Sequence, residues 1–439
     1  MTVNSGSDQP NPYQPPADEL SQPDSAGRPL RGALPLLVLF AVLYFVQGIV
    51  EPTAGVPAQP IQSRLQDWGR TQTEIGFFLG FIGIPWSLKL LYGLVSDFLP
   101  IAGYRRFPYL AISTAVTGGA FLWMSRLWGS PANESQLAWL LFATCVAIAT
   151  TDVVVDALAV EKGQPLGLTG QFQSVQWGAI SVAQIIGGTL AGFIAQHRLL
   201  GPAFVGFGIL SLASLTVVLL AVREPRHVRP PVENLRQAWN QLRSGRRLVV
   251  LFVVALYLFF WNFNPFSANV QQHYSTKVLG LSEQFYGNLY SIQGITQVLS
   301  AIAYFFLCRR IPLGWLLHGS IVCGVLMTLC YLPMHDATTA VLASLVFGLT
   351  YQLGTLIQLD VAARVVPTES AATLFALLMA ISNSGISAGL FLGGWWYDGL
   401  TAHFGGDRHA AFDALVIIGA GFTACCWLLV PALRWAGVK

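Results

Sequence analysis

Four carboxylates and two basic side chains sit where their charge is expensive or their neighbours are reactive. Lys89 lies inside the apolar run FIGIPWSLKLLYGLVSDF, where an ammonium costs several kcal/mol unless it faces protein or water. In TTDVVVDALAVEKG, Asp152 and Asp156 are four residues apart and so share one face of a helix. Counted at 1.5 Å per residue, Asp152 lies roughly 13 Å inward of Glu161, and Lys89 roughly 12 Å inward of Asp97. Equal depth makes Lys89 and Asp152 a candidate ion pair. Two neighbouring carboxylates repel, so one of Asp152 and Asp156 is expected to hold a proton near neutral pH and to exchange it. The alternative is a fixed polar network joining two helices. Asp360 and Arg364, again four apart, form either a local salt bridge or a second contribution to such exchange. Glu51 is followed by Pro52, whose ring leaves a carbonyl without a helical partner. It is a candidate for direct contact with a polar solute or proton, against a place in an outer vestibule.

These groups need apolar helices to hold them at depth. The chain has 439 residues, 54% of them hydrophobic and 10% charged, with a mean hydropathy of +0.57. A soluble protein carries about 25% charged residues, so the composition predicts an all-α integral membrane protein. Windows of about 20 apolar residues place spans near 34–57, 73–96, 107–127, 136–160, 170–195 and 202–222. A second set falls near 248–270, 281–307, 313–332, 337–363, 370–398 and 408–433. The domain organisation that follows is a polar tail over 1–30, a first six-helix bundle over 31–222, a linker over 223–247 and a second bundle over 248–439. The linker is expected to hold a short amphipathic helix with Leu235, Trp239 and Leu242 on one side.

Most Lys and Arg residues then fall on the side of the termini, among them Arg105, Arg106 and the linker arginines. The bias predicts both termini in the cytoplasm and a multi-pass protein of the cell or inner membrane. The cysteines lie in or beside apolar runs with no metal or disulfide spacing. The histidines are scattered, and no phosphate-binding glycine loop is seen. The reading calls for no catalytic residue, cofactor, metal or nucleic acid; the expected partners are lipid, protons and a small solute, and the chain is expected to act as a monomer.

Polar side chains inside the spans suit a planar, heteroatom-rich solute. Gln173, Gln176 and Trp177 lie on the fifth span, Trp261 and Asn262 on the seventh and Gln293 on the eighth. Amides and indoles among apolar residues can stack and hydrogen-bond such a molecule, or equally glue helices together. Glycines at four-residue spacing, Gly76 and Gly80, Gly188 and Gly192, and Gly385, Gly389 and Gly393, are expected where helices of the two bundles approach closely. Asp97 at the end of the second span and Arg105 and Arg106 before the third are expected to form a gate, charge-assisted contacts that hold the cytoplasmic side shut and release in the other state.

Two six-helix sets joined by a linker resemble the parallel-repeat architecture of the major facilitator transporters. The stretch GIPWSLKLLYGLVSDFLPIAGYRRFPYL closely resembles the second-to-third-span pattern of one branch of that superfamily, the folate-biopterin transporter family. TDVVVDALAVE, LGLSEQFYG and ARVVPTESAATLFALLMAISNSG are similar to further family stretches. The resemblance implies a major facilitator fold of twelve transmembrane helices and marks Lys89, Asp97, Arg105, Arg106, Asp152, Asp156 and Arg364 as family residues. It implies a secondary transporter of a small organic solute, folate or a pterin, working by proton symport. Two alternatives stay open: an exporter of an unrelated amphipathic metabolite, and a receptor or scaffold that keeps the fold without transporting.

Overall fold

The computed structural model describes residues 28–163, 168–222, 224, 226, 245–307, 312–365 and 371–435. Nearly all of the tail, and the expected linker helix with Leu235, Trp239 and Leu242, lie outside them. The helices of the first half are α1 (Arg28–Val50), α2 (Ala58–Asp67), α3 (Gln72–Ser87), α4 (Lys89–Phe98), α5 (Phe107–Leu127), α6 (Glu134–Gly163), α7 (Thr169–Gln196) and α8 (Leu200–Ala221). Those of the second half are α9 (Gly245–Asn262), α10 (Ala268–His273), α11 (Glu283–Leu307), α12 (Leu313–Leu329), α13 (Ala337–Val365), α14 (Ala371–His403), α15 (Arg408–Ala424) and α16 (Val430–Trp435). Counting α3 with α4, nine segments among the described residues are long and apolar enough to cross a membrane, and Leu248–Asn262 and Gly314–Leu329 are shorter apolar helices. The chain is a multi-pass, largely helical membrane protein.

The twelfth expected span tightens into a 3-10 turn over Cys425–Leu429 between α15 and α16, and three others are broken, each for a local reason. The first ends at Val50 rather than at 57, because Pro52 and Pro57 interrupt the backbone ladder and the chain turns before α2. The second breaks at Leu88, one turn past Pro85. Leu88 N–H bonds to the Pro85 carbonyl at 3.1 Å and Leu91 N–H to that of Leu88 at 2.9 Å, tight turns that restart the helix at Lys89. The seventh breaks after Asn262, at the Pro265-bearing segment that precedes α10.

Burial divides by chain half. Phe121, Phe204 and Leu141 centre one apolar cluster and Phe40, Phe172 and Leu110 another, all from the first half. Trp261 and Tyr257 centre a third, and Tyr274 and Phe412 a fourth, from the second. The halves meet where α3 lies along α14 and α7 along α11. Small residues permit this approach: a side chain on Gly76 or Gly80 would meet Leu390 and Phe391 of α14, and one on Gly188 or Gly192 would meet Ser291 and Gln284 of α11. The third glycine set departs from expectation. Gly385, Gly389 and Gly393 face Phe259, Asn264 and Pro265 of their own half, because α14 packs one face on α9 and turns another toward α3. Gly287 and Gly394 take the expected place, against Gly188 and the Gln72 backbone.

Hydrogen bonds between the halves gather toward the end far from the termini. Glu283 accepts from Gln59 Nε2 and Ser63 Oγ, both at 2.9 Å. Asp398 accepts from the N–H and hydroxyl of Thr73 at 2.6 and 2.7 Å, so a second-half carboxylate caps the first turn of α3. Ser291 Oγ accepts from Thr189 N–H at 2.8 Å, and Tyr290 donates to the Ala54 carbonyl at 2.9 Å.

At the opposite end, Glu224 accepts from the backbone N–H groups of Arg105, Arg106 and Phe107 at 2.9, 2.9 and 3.1 Å. It satisfies the otherwise orphaned donors at the start of α5. The preceding turn needs left-handed backbone at Ala102 and Gly103, with φ of 52° and 84°. Glu224→Gln keeps the shape and removes the charge, and is expected to lower stability by about 1 kcal/mol, read by thermal unfolding of the purified protein; a curve superimposable on the wild type's would remove Glu224 from this role. Gly188→Leu is expected to hold α7 off α11, moving the distance between spin labels at Arg198 and Lys277 to longer values. An unchanged distribution would show that the contact does not set the closure.

Candidate functional site

The break at Leu88 puts Lys89 on the first turn of α4, beside α6 and α1. Its Nζ lies 2.7 Å from Asp152 Oδ2, and 4.7 Å from the centre of the Trp86 ring, a cation–π contact. Gln47 on α1 donates to the other oxygen of Asp152 at 2.8 Å. Asp152 is 5% exposed, so both its oxygens are spoken for by an ammonium and an amide.

Asp156, one turn along α6, has different company. Tyr44 of α1 donates to its Oδ1, and Gln176 of α7 approaches the same oxygen at 3.3 Å. The residue is exposed, although Tyr44 and Gln176 beside it are buried. Tyr44 and Gln47, three apart on α1, thus face Asp156 and Asp152, four apart on α6. Sequence reasoning passed over both. The signal was present: in ALPLLVLFAVLYFVQGIV they alone carry side-chain hydrogen-bonding groups, and their spacing puts them on one face.

Glu51 closes the far side of the same cluster. Its carboxylate takes Thr53 N–H at 3.0 Å, Thr53 Oγ1 at 2.7 Å, Ala54 N–H, and Trp86 Nε1 at 3.0 Å. It is 5% exposed, which puts it in the wall of the turn after α1, fixing the indole on which Lys89 rests.

Toward the termini, Asp97 Oδ1 lies 2.6 Å from Arg106 and 3.0 Å from Arg105. Glu161 of α6 adds a second carboxylate 2.6 Å from Arg106, and Ser96 Oγ accepts from Arg106 at 2.7 Å. Burial works against the Arg106 charge, but Glu161 and Asp97 outweigh it and the net shift is upward. Glu161 and Glu224 were the members that sequence reasoning did not assign.

The other expected residues spread through the fold. Trp261 is wholly buried, donating to the Ser320 carbonyl at 3.0 Å. Asn262 donates to Gln358 at 2.9 Å, and Gln293 to Tyr331 at 3.2 Å; all three bond within the second half. Trp177 is 50% exposed. Asp360 accepts from Tyr304 at 3.2 Å. Gln173 and Arg364 lie on α7 and α13, and their side chains fall outside the described ones. Among the described residues no group of His, Cys, Asp and Glu is arranged to hold a metal ion.

Comparison with known proteins places this geometry. A folate-biopterin transporter of Synechocystis sp. is 27% identical over 408 residues, covering 89% of this chain and 79% of the relative. A probable folate-biopterin transporter 4 of Arabidopsis thaliana is 30% identical over 203 residues, covering 45% of this chain and 40% of the relative. Among solved structures, a bacterial homologue of the human lysosomal transporter Spinster, in an inward-facing unoccupied conformation, superposes with a TM-score of 0.66 at 13% identity, covering 94% of this chain and 99% of that one. The nucleoside transporter NupG gives 0.61 at 15% identity, covering 92% and 99%. The fold is therefore an all-α membrane fold of the kind those transporters share. With the BT1 family matching residues 65–431, the chain belongs to that family.

Proposed function

We propose that this chain is a secondary transporter in which two six-helix bundles, residues 31–222 and 248–439, expose a central site alternately to either side of the membrane. The solute is a folate or a pterin, the named cargo of the Synechocystis relative, and its movement is coupled to protons. The observation that carries the reading is the cluster of Lys89, Asp152 and Asp156. Charge at mid-membrane depth is costly unless it serves a wet or changing environment, and Asp156 is exposed at that depth. Gathering of the cross-half bonds at the far end supports a state closed there and open toward the termini, which the charge bias puts in the cytoplasm. In this account Asp97, Arg105, Arg106 and Glu161 hold the termini side of the first half in its open arrangement.

The chemistry asked of the protein is binding and proton exchange. Gln176 and Trp177 offer an amide and an indole one helix away from the carboxylates, suited to a planar ring with nitrogen and oxygen substituents. A solute anion near Lys89 adds negative charge beside two aspartates, which a proton on the unpaired one offsets, and this ties protonation to binding. Thermal-shift screening of the purified protein against folates, pterins and unrelated metabolites identifies the ligand, since binding stabilises the state it selects.

Reconstituted protein is expected to take up tritiated folic acid or biopterin faster under an outside-acid pH gradient, and to lose the acceleration with a protonophore. Uptake no better than empty liposomes for both compounds would sink the substrate assignment; uptake indifferent to the gradient would sink the coupling. Lys89→Gln alone is expected to destabilise the protein by about 3 kcal/mol, because it strands the Asp152 charge. The double variant Lys89→Gln with Asp152→Asn is expected to recover most of that loss in the melting temperature and none of the gradient-driven uptake. Equal melting temperatures for all three proteins would mean that the pair carries no buried charge.

A further inference from the structure

Resting on the proton-coupled reading above, we propose that Asp156 is the carboxylate that carries the proton, and that Tyr44 is the positioning residue that lets it do so. The argument is one of donors and acceptors. Three carboxylates line one side of the first half, and they differ in whether their partners tolerate a neutral acid.

Glu51 is held by Thr53 N–H, Ala54 N–H, the Trp86 indole N–H and the Thr53 hydroxyl. Three of these four can only donate. A proton on Oε2, which holds both backbone N–H groups, would leave a buried donor unmet, and one on Oε1 would have to turn the Thr53 hydroxyl round and lose its donation. Asp152 has Lys89 on one oxygen and the Gln47 amide on the other. An ammonium cannot accept a hydrogen bond, so a proton on Asp152 would cost the ion pair and strand the lysine charge.

Asp156 is free of both restraints. Its near partner is a phenol, which donates to a carboxylate and accepts from a carboxylic acid with the same geometry. Its second contact, Gln176 Nε2 at 3.3 Å, is long and belongs to an amide that can offer its oxygen after a flip. The charged groups around it are Asp152 on α6 and Lys89 on α4, with Tyr44 on α1 facing it directly. One ammonium is shared by two aspartates, and it stands 2.7 Å from Asp152. A proton on Asp156 therefore makes the three-residue group neutral. Exposure agrees: Asp156 is exposed, while Glu51 and Asp152 are each 5% exposed, so it is the most accessible of the three.

The test is pH-titrated infrared difference spectroscopy of the purified protein in liposomes without added solute, following the carbonyl stretch of a protonated carboxyl group. The wild type is expected to show one such band titrating near neutral pH. Asp156→Asn is expected to abolish it and Glu51→Gln to retain it, while Asp152→Asn, which leaves the Lys89 ammonium to Asp156 alone, is expected to move it to a lower midpoint. Asp156→Glu keeps the acid and serves as the folding control, with a band at a shifted midpoint. Tyr44→Phe removes a donor to the ionised form and is expected to raise the midpoint by about one pH unit, an effect that a purely structural tyrosine would not produce. Survival of the band in Asp156→Asn, a midpoint in Asp152→Asn that does not fall, or an unmoved midpoint in Tyr44→Phe would each overturn the assignment. Uptake of tritiated folic acid separates the two levels of failure. Gradient-independent uptake by the wild type removes the coupling on which the assignment rests. Gradient-driven uptake that survives in Asp156→Asn removes the assignment alone.

Discussion

A lysine ammonium among apolar helices has to be matched by an anion within a few ångströms, and the first half is arranged to supply it. Pro85 weakens the helix one turn upstream, the break at Leu88 restarts it, and Lys89 emerges on the side facing α6. There Asp152 closes the pair at 2.7 Å, with Trp86 beneath the ammonium. Glu51 fixes Trp86, and Gln47 fixes Asp152. An ion pair taken out of water barely breaks even unless its remaining hydrogen-bonding positions are filled. The Gln47 amide takes the second oxygen of Asp152, and the Trp86 ring faces the ammonium. The turn after α1 and the break past Pro85, both set locally by prolines, and the polar residues on α1 thus converge on one charge pair.

The fold uses carboxylates in two distinct ways. Glu224 sits on three backbone N–H groups at the start of α5, Asp398 on the first turn of α3, and Glu51 on the turn that follows α1. Backbone N–H groups cannot accept, and helix N-termini favour negative charge, so these three carboxylates serve as acceptors that shape the chain. Asp156, bonded to a phenol and open to solvent, is held to neither charge state. The same side-chain chemistry is structural in one setting and labile in the other, and the partner decides which.

Much of this was legible in the sequence because charge at depth leaves few options. Residue counting alone put Lys89 and Asp152 at one level, and the four-residue spacing put Asp156 on the same face. Asp97 with Arg105 and Arg106 followed from the adjacency of a helix end and a basic turn. What sequence could not supply was the identity of partners brought in by tertiary packing. Glu161 and Glu224 join the arginines only because α6 and the chain after α8 end beside them. Trp261 and Gln293 read equally well as solute contacts or helix glue, and in the fold they bond within the second half. The glycines of α14 misled for a related reason. Spacing reports that a face is small, but which neighbour it meets depends on the rotation of a helix wedged between two others.

The strengths of these contacts are also divided in a way that suits movement between halves. The ion pairs Lys89 with Asp152, Arg106 with Asp97 and Glu161, and Arg70 with Glu134 each join residues of the first half, where breaking one would strand a charge at a cost of about 3–5 kcal/mol when buried. The bonds from Gln59, Ser63 and Thr73 to Glu283 and Asp398 cross between halves and use neutral donors. Near the far surface, water can replace such donors, so each is worth about 1.5–3 kcal/mol at most. Glycine-lined contacts along α3 with α14 and α7 with α11 add close packing without interlocking side chains. The ion pairs thus lie within one half, while the seam between halves is made of close packing and replaceable hydrogen bonds, one of them from Asn383 to the Trp86 carbonyl at 3.1 Å. On the reading proposed above, such a seam can part at the far end, and Asp156, whose partners accept either charge state, is the group left to couple that movement to a proton.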